Sequence, residues 1–394
     1  MKMQIYGLDY SYAAELQEFF NGDFSSNPGD VPAPSSFCEA RGKIRHSAFI
    51  DLNTTLVTAF YRGSATDFWE DSFRLVAVDG TTTDVPDTPE NLKYFGGMDS
   101  CRSDPGQICP KSRVSFAYDP LNKLIVDAIM GPFMFGEDGM AYQHLEKAST
   151  SDLMIYDRGY ASYKLFRRHE DAGVSYCVRV PTKQFTRLTG EFLESNDDDR
   201  IVEYFPQGYG RSMCLREGLS IHPVKVRLIK VELSTGKTEV LATNVFGEDL
   251  NPEKFGELYH LRWGVEEEYK RLKCRIELEA FSGRKTEFVL QDFHADVLRL
   301  NLTTLLARQA KIDLKGRGPK KRHLHAPNMS LALTSLPKFL DALFEPDEKS
   351  LNSVINNILI YLCRMSEAIR PGRSYPREKK PTRSGYSFQY KRSS

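Results

Sequence analysis

The chain has 394 residues, 53 Lys and Arg against 53 Asp and Glu, with 41% hydrophobic and 11% aromatic content. That profile excludes a disordered, collagenous or coiled-coil protein, and at about 150 residues per domain it predicts two or three structural units. No window approaches the roughly 18 to 20 uninterrupted apolar residues of a membrane span, and the opening residues lack a signal-peptide core; a cytoplasmic location is expected.

The cysteines, Cys38, Cys101, Cys109, Cys177, Cys214, Cys274 and Cys363, are scattered and form no C-x-x-C pair. They indicate neither a disulfide framework nor a zinc knuckle and are expected to be reduced and mostly buried. The zero net charge is unevenly divided. From Arg299 to Ser394 there are 19 basic and 7 acidic residues, against 34 and 46 in the preceding part. A basic end joined to an acidic body suits a polyanion held by one part and brought to acidic groups that need cations in the other; basic surface helices that only keep a protein soluble would give the same asymmetry.

In chain order, helical patterns run over Tyr12–Phe20 and Phe37–Tyr61, separated by a Gly-, Pro- and Ser-rich loop. The short run Arg74-Leu75-Val76-Ala77-Val78-Asp79-Gly80 predicts a buried strand stopped by a turn. Val114–Tyr118 and Leu124–Met130 predict a hairpin, followed by a helix over Gly139–Ala148. A second buried strand, Leu153–Tyr156, ends at Asp157-Arg158-Gly159-Tyr160; a helix over Tyr163–Asp171 and a strand over Val174–Val180 follow. From Pro181 to Glu239 helical periodicity gives way to alternation, which predicts a β-rich insertion, before an apolar strand at Val240–Val245 and long helices from Pro252 onward. Strands in a hairpin and then alternating with helices argue for a mixed sheet covered by helices. The end, Pro371–Ser394, has the composition of an extended basic arm.

Asp79 and Asp157 each close a predicted strand, where an open sheet presents side chains to a crevice, although Asp before Gly is also a common turn residue. A third carboxylate appears in the helix Tyr259–Lys273. At about 100° per residue, Tyr259, Arg262, Glu266 and Lys273 fall on one stripe, while Glu267 and Glu268 leave it. A phenol, a guanidinium, a carboxylate and an ammonium on one face suit a phosphate beside a metal; a solvated helix with i,i+4 ion pairs is the alternative.

The pattern Y-x2-R-x3-E-x6-K at Tyr259, Arg262, Glu266 and Lys273, with Val76-Ala77-Val78-Asp79-Gly80 and Asp157-Arg158-Gly159-Tyr160, resembles the insertion-sequence-four family of bacterial DDE transposases. The insertion, the approach Leu241–Val245, and the ending from Arg370 are similar to that family too, and the resemblance covers roughly Ser36–Arg392. It implies an α/β fold with a ribonuclease-H-like, retroviral-integrase-type mixed sheet flanked by helices, a β-rich insertion domain and helical N- and C-terminal regions. The expected division is a helical region at 1–68, shorter than the family's usual one, a core split between 69–180 and 240–310, an insertion at 181–239 and a basic region at 311–394.

The resemblance further implies Asp79, Asp157 and Glu266 as catalytic metal ligands, with Tyr259, Arg262 and Lys273 holding DNA phosphates and Arg158 as a further phosphate candidate. Three carboxylates within about 4 Å would repel by around 4 kcal/mol per pair at an effective dielectric near 20, so such a cluster requires cations. Oxygen ligands favour two Mg²⁺ or Mn²⁺ ions. Arg373, Arg377, Lys379 and Lys380 are candidate clamps on the phosphates of double-stranded DNA.

The expected activity is that of an insertion-sequence transposase, binding terminal inverted repeats, cutting at the element ends and joining the 3′-hydroxyls to target DNA as a dimer. A silent or truncated DNA-binding relative, and a metal-dependent nuclease on the same core, are the alternatives. No base-stacking residue is assigned: Trp69 and Trp263 lie outside the insertion, and Tyr204, Phe205 and Tyr209 read as core or turn residues.

Overall fold

The structure is a computed structural model. It describes Leu16 and residues 31–369 apart from 64–65, 100–107, 184, 233–235, 248–249, 263, 265–280, 317–324 and 337–347. The helix expected over Tyr12–Phe20, the basic arm, and most of the Tyr259–Lys273 helix lie outside the described residues. The chain divides into two compact units, one comprising 1–59, 83–112 and 270–394 and the other 60–82 and 113–269.

The second unit contains the sheet that positions the site. Its strands are β1 (Arg74–Asp84), β3 (Ile108–Asp119), β4 (Leu124–Pro132), β5 (Asp152–Tyr156), β6 (Ser175–Val180), β7 (Asp199–Tyr204), β8 (Val224–Glu232) and β9 (Thr238–Thr243). Their order is β4-β3-β1-β5-β6-β9-β8-β7. β1, β5 and β6 run parallel, whereas β9, β8 and β7 pair antiparallel with their predecessors. A hairpin beside the first strand followed by two parallel strands gives the mixed, ribonuclease-H-like sheet that the resemblance implies.

Both faces of the central strands are covered, which explains why they read as continuous apolar runs. Val76, Val78, Met154, Tyr156, Tyr176 and Val178 join one core cluster, while Leu75, Leu153, Ile155 and Cys177 join the other. The period of two is the alternation of a strand between its faces. Helices α4 (Glu137–Glu146) and α5 (Tyr163–Ala172) contribute Ala141, Tyr142, Leu165 and Phe166 to the first cluster. Ser162 caps α5 by accepting from the Leu165 N–H at 3.1 Å, and Gly173 ends it in the left-handed region at φ 65°. Helix α8 (Pro252–Leu261), with Pro252 in its first turn and Asn251 accepting from the Lys254 N–H, packs Phe255, Leu258 and Tyr259 into the second cluster.

Three expectations need correction. β1 does not stop at Asp79-Gly80 but continues to Asp84, sustained by the β-branched run Thr81-Thr82-Thr83. Gly80 is a point of close approach: a Cβ there would lie 2.7 Å from Cγ of Glu137. Between Pro181 and Glu239 the strands are accompanied by two helices, α6 (Thr186–Glu194) and α7 (Gly208–Arg216), and β8 and β9 extend the central sheet. The Phe37–Tyr61 pattern is two helices, α1 (Pro34–Gly42) and α2 (Ser47–Arg62), broken after Gly42.

The first unit is built around helix α9 (Thr286–Gly316), whose residues from Phe288 to Leu300 are all buried. Phe49 of α2 packs on Ala295 and Leu298, while α10 (Met329–Ser335) and α11 (Glu348–Arg364) pack near its C-terminal half through Ala310, Ala332, Ile358 and Leu362. β2 (Gly97–Asp99) pairs with the first residues of β3, and β10 (His325–Pro327) pairs with β11 (Ser366–Ala368). Arg41, 1% exposed, ties α1 to α9 with bonds to Gln291 at 2.8 Å, Ser282 at 2.7 Å, the Phe288 carbonyl at 3.0 Å and Asp292 at 2.7 Å. Among the described residues no helix is long and apolar enough to cross a membrane. The described cysteines are in no disulfide; Cys109, Cys177, Cys214 and Cys363 are buried, while Cys38 is half-buried.

Behind the sheet, His169 bridges the Val174 carbonyl at 3.0 Å and the Tyr156 hydroxyl at 2.9 Å. The carbonyl can only accept, so Nδ1 carries the proton and Nε2 accepts from the phenol. Burial pushes the His169 pKa down to about 4.

Two stability predictions follow from these buried groups. Arg41→Leu leaves the Asp292 carboxylate buried without its cation and should cost about 3 to 5 kcal/mol, measured by urea unfolding. Because unfolded His169 takes up a proton near its ordinary pKa of about 6.5 and the folded form refuses it, stability should fall as pH drops from that value towards 4, and a His169→Gln protein should show a shallower fall.

Candidate active site

The register of the parallel pair β1 and β5 sets the position of the two aspartates. Arg74 faces Asp152 and Val78 faces Tyr156, so Asp79 and Asp157 each stand one residue beyond the last matched pair. Neighbouring strands lie about 4.8 Å apart, which brings the two carboxylate-bearing positions side by side. At the other end of the pairing, the Arg74 guanidinium holds Asp152 in a fork, with Nε to Oδ1 at 2.7 Å and Nη2 to Oδ2 at 2.6 Å. Such a bidentate pair resists slippage, and a shift of one residue would turn every core side chain to the wrong face.

Asp79 is half-buried and its Oδ1 accepts from the N–H of Gly80 at 3.0 Å. Its carbonyl accepts from Ser115, whose hydroxyl also meets Nε2 of the buried His144 at 3.1 Å; Nδ1 of that histidine lies 2.7 Å from Asp127. Asp157 is followed by a single 3-10 turn, Arg158–Tyr160. Its Oδ1 accepts from Arg179 Nη2 at 2.8 Å and from the Tyr259 hydroxyl at 3.3 Å. Burial opposes ionisation of Asp157, but the Arg158 backbone N–H and the guanidinium groups of Arg262 and Arg179 outweigh it and hold its pKa below the usual value. The carboxylate is therefore ionised and preorganised at neutral pH.

Tyr259 and Arg262, separated by three residues at the end of α8, thus converge on Asp157. The Arg262 guanidinium lies 5.7 Å from the centroid of the Tyr259 ring, and both side chains are buried. Arg158, next to Asp157 in the chain, is exposed. Glu266 and Lys273, and the tail residues Arg373, Arg377, Lys379 and Lys380, lie outside the described residues.

Arg179 is the site residue that the motif reading missed. It sits on β6 and bridges Asp157 to Glu239, 2.5 Å away. Its signal was present in the sequence: an arginine inside the otherwise apolar strand Tyr176-Cys177-Val178-Arg179-Val180 needs a partner. Of the aromatic residues weighed in the insertion, Tyr204 packs on Tyr163, Phe166 and Phe185, whereas Phe205 and Tyr209 are exposed.

Beside the aspartates lies a cavity of about 370 Å³ lined by Arg113, Glu137, Asp138, Gly159, Tyr160 and Ser162. Arg113 and Glu137 are paired at 2.7 Å. Among the described residues no three His, Cys, Asp or Glu side chains form a metal-ligating group. The donors that are described nevertheless fit a hard divalent cation: two adjacent aspartates, one of them ionised by its surroundings.

Residues 71–302 match the family model described as the transposase DDE domain. The chain is 24% identical over 298 residues to transposase InsG of insertion sequence element IS4 from Escherichia coli (strain K12), an alignment covering 75% of this chain and 66% of that protein. It therefore spans just under two thirds of that relative's length. A solved structure of piggyBac transposase, in a synaptic complex with hairpin DNA, aligns with 12% identity and a TM-score of 0.41, covering 76% of this chain and 59% of that one. Since the family model takes in more than half of its residues, and the strands bearing Asp79 and Asp157 with them, the chain belongs to the DDE transposase family.

Proposed function

We propose that the protein is the transposase of an insertion sequence, which binds the element's terminal inverted repeats, cuts the DNA there and joins the freed 3′-hydroxyls to target DNA. The observation that carries this reading is the side-by-side placement of Asp79 and Asp157 by the β1–β5 register, with Tyr259, Arg262 and Arg179 gathered on Asp157. The match to the IS4 transposase supports the same reading.

Asp79, Asp157 and Glu266 would hold Mg²⁺ or Mn²⁺, two ions in the full site. Bound there, such cations activate the attacking oxygen and stabilise the leaving one in an in-line displacement at phosphorus. The protein's own groups supply orientation. Arg179 and Tyr259 occupy Oδ1 of Asp157 and so fix how the carboxylate is presented. Arg262, buried next to Tyr259, adds positive charge at the place where a phosphate approaches, and exposed Arg158 offers a second contact. Lys273 would extend the same stripe along the DNA backbone. No covalent protein nucleophile is needed. Simultaneous action at two ends calls for a dimer assembled on double-stranded DNA.

The decisive experiment is Mg²⁺-dependent cleavage and joining of labelled DNA carrying the sequences that flank the gene. Asp79→Asn, Asp157→Asn and Glu266→Gln should each lower cleavage about 10³-fold or more while leaving DNA binding in place. Binding without cutting by the unaltered protein would favour the silent relative, and cutting without joining would favour a nuclease. Retention of full cleavage by Glu266→Gln would remove Glu266 from the site.

For the tail, neutralising Arg373, Arg377, Lys379 and Lys380 together should weaken binding to all DNA sequences alike. It should also flatten the plot of log affinity against log salt by up to about 0.9 per lost phosphate contact. An unchanged slope in filter-binding assays would exclude the tail as a clamp.

A further inference from the structure

Side chains from β3, β4 and α4 form a line that ends on the backbone of Asp79. The Ser115 hydroxyl of β3 donates to the Asp79 carbonyl at 3.2 Å, and its Oγ lies 3.1 Å from Nε2 of His144 on α4. Nδ1 of the same ring lies 2.7 Å from Oδ2 of Asp127 on β4, whose Oδ1 accepts from the exposed Lys147 at 2.9 Å. Ser115 is 0% exposed and His144 3%. The contacts therefore lead from a surface lysine, through a carboxylate and two buried side chains, to the residue that carries the first site aspartate.

Serine, histidine and aspartate in this order are the groups of a hydrolytic triad. Ser115 is fully buried, however, and its proton is committed to a backbone carbonyl, so no substrate can reach it. The protons point to a different task. Burial opposes ionisation of Asp127, but its contacts with His144 and then with Lys147 outweigh it and hold the carboxyl well below its usual range. An ionised carboxylate only accepts, so Nδ1 carries a proton. The Ser115 hydroxyl has a single proton; with that proton on the Asp79 carbonyl, Oγ can only accept from Nε2. Both ring nitrogens then donate, and the imidazole is held at each end.

Helix α4 also reaches the residue after Asp79. A Cβ on Gly80 would lie 2.7 Å from Cγ of Glu137, which is where the first turn of the helix seats. Glu137 and His144 are seven residues apart, close to two full turns, and so lie on one side of α4. The matched pairing of β1 with β5 ends at Val78. The Ser115 hydroxyl thus restrains β1 at the residue where its pairing with β5 stops.

We infer that His144 and Ser115 are positioning residues for Asp79: the histidine, anchored on Asp127, holds the serine hydroxyl against the Asp79 carbonyl and so fixes the backbone from which that carboxylate is presented. Partners of this kind, one step removed from a ligand, set its orientation at metal sites generally. The inference rests on the reading of Asp79 as a cation ligand.

The test uses the full chain, without DNA, and Mn²⁺ alone as the probe. Binding is measured by electron paramagnetic resonance and stability by thermal melting, for the unaltered protein, Ser115→Ala, His144→Gln, the double variant and Asp79→Asn. Leu145→Ala, which removes packing from the same helix one residue from His144, is the control for general loosening. Ser115→Ala and His144→Gln should each bind Mn²⁺ about 10-fold more weakly. Because the two act in one line, the double variant should bind no more weakly than either single one. Leu145→Ala should melt earlier yet keep its Mn²⁺ affinity. Either single variant suffices for the comparison should the other not fold. Unchanged affinity in Ser115→Ala and His144→Gln, with binding lost in Asp79→Asn, would overturn the inference and leave the aspartate site standing. Equal weakening by Leu145→Ala would overturn it too, by tracing the effect to loss of packing, as would losses that multiply in the double variant. Should Asp79→Asn bind as the unaltered protein does, the aspartate reading falls and the inference falls with it.

Discussion

Everything at the site depends on the register between β1 and β5. Two parallel strands have no hairpin to fix their alignment, so side chains must do it. Here a guanidinium fork at Arg74 and Asp152 locks one end of the pairing, and the burial of Val76, Val78, Met154 and Tyr156 on one face excludes a shift by one residue. Five residues along β1 from that fork, and five along β5, stand the two aspartates. The ion pair lies away from the two aspartates, yet it sets where they stand.

Around Asp157 the protein has gathered positive charge and hydrogen-bond donors before any ligand arrives. Arg179 comes from β6, Tyr259 and Arg262 from the end of α8, and an N–H from the 3-10 turn. β6 is a strand of the sheet and α8 packs against it through Phe255 and Leu258, so the electrostatic arrangement follows from core packing. Arg179 also pairs with Glu239 through its other terminal nitrogen. The local charge is thereby shared between two carboxylates from neighbouring parts of one sheet.

Much of this was legible in the sequence because strands buried on both faces write themselves as short β-branched runs, and β5 was found with its first residue alone missed. The spacing of Tyr259 and Arg262 also carried real geometry, since three residues is nearly one helical turn: the Tyr259 hydroxyl bonds Asp157, and the Arg262 guanidinium lies beside the Tyr259 ring and adds to the positive charge felt by that carboxylate. What escaped was whatever depended on contacts remote in sequence. Arg179 finds Asp157 across adjacent strands, and nothing local announces that pairing. Helices α6 and α7 were missed because they are short and sit among strands, where alternation dominates any reading window. The Asp-Gly pair reads as a turn because that is its commonest use, whereas the threonines after it carry the strand onward.

The glycine of that pair has a different job. Gly80 leaves a notch beside Asp79 into which the stem of Glu137 fits at the start of α4, and Glu137 in turn holds Arg113 on the rim of the adjoining cavity. The Asp-Gly doublet therefore works as a steric keyway: one half carries charge, and the other, by having no side chain, lets a neighbouring helix seat itself. Even a methyl group there would displace Glu137 and disturb its hold on Arg113 without touching the carboxylate of Asp79.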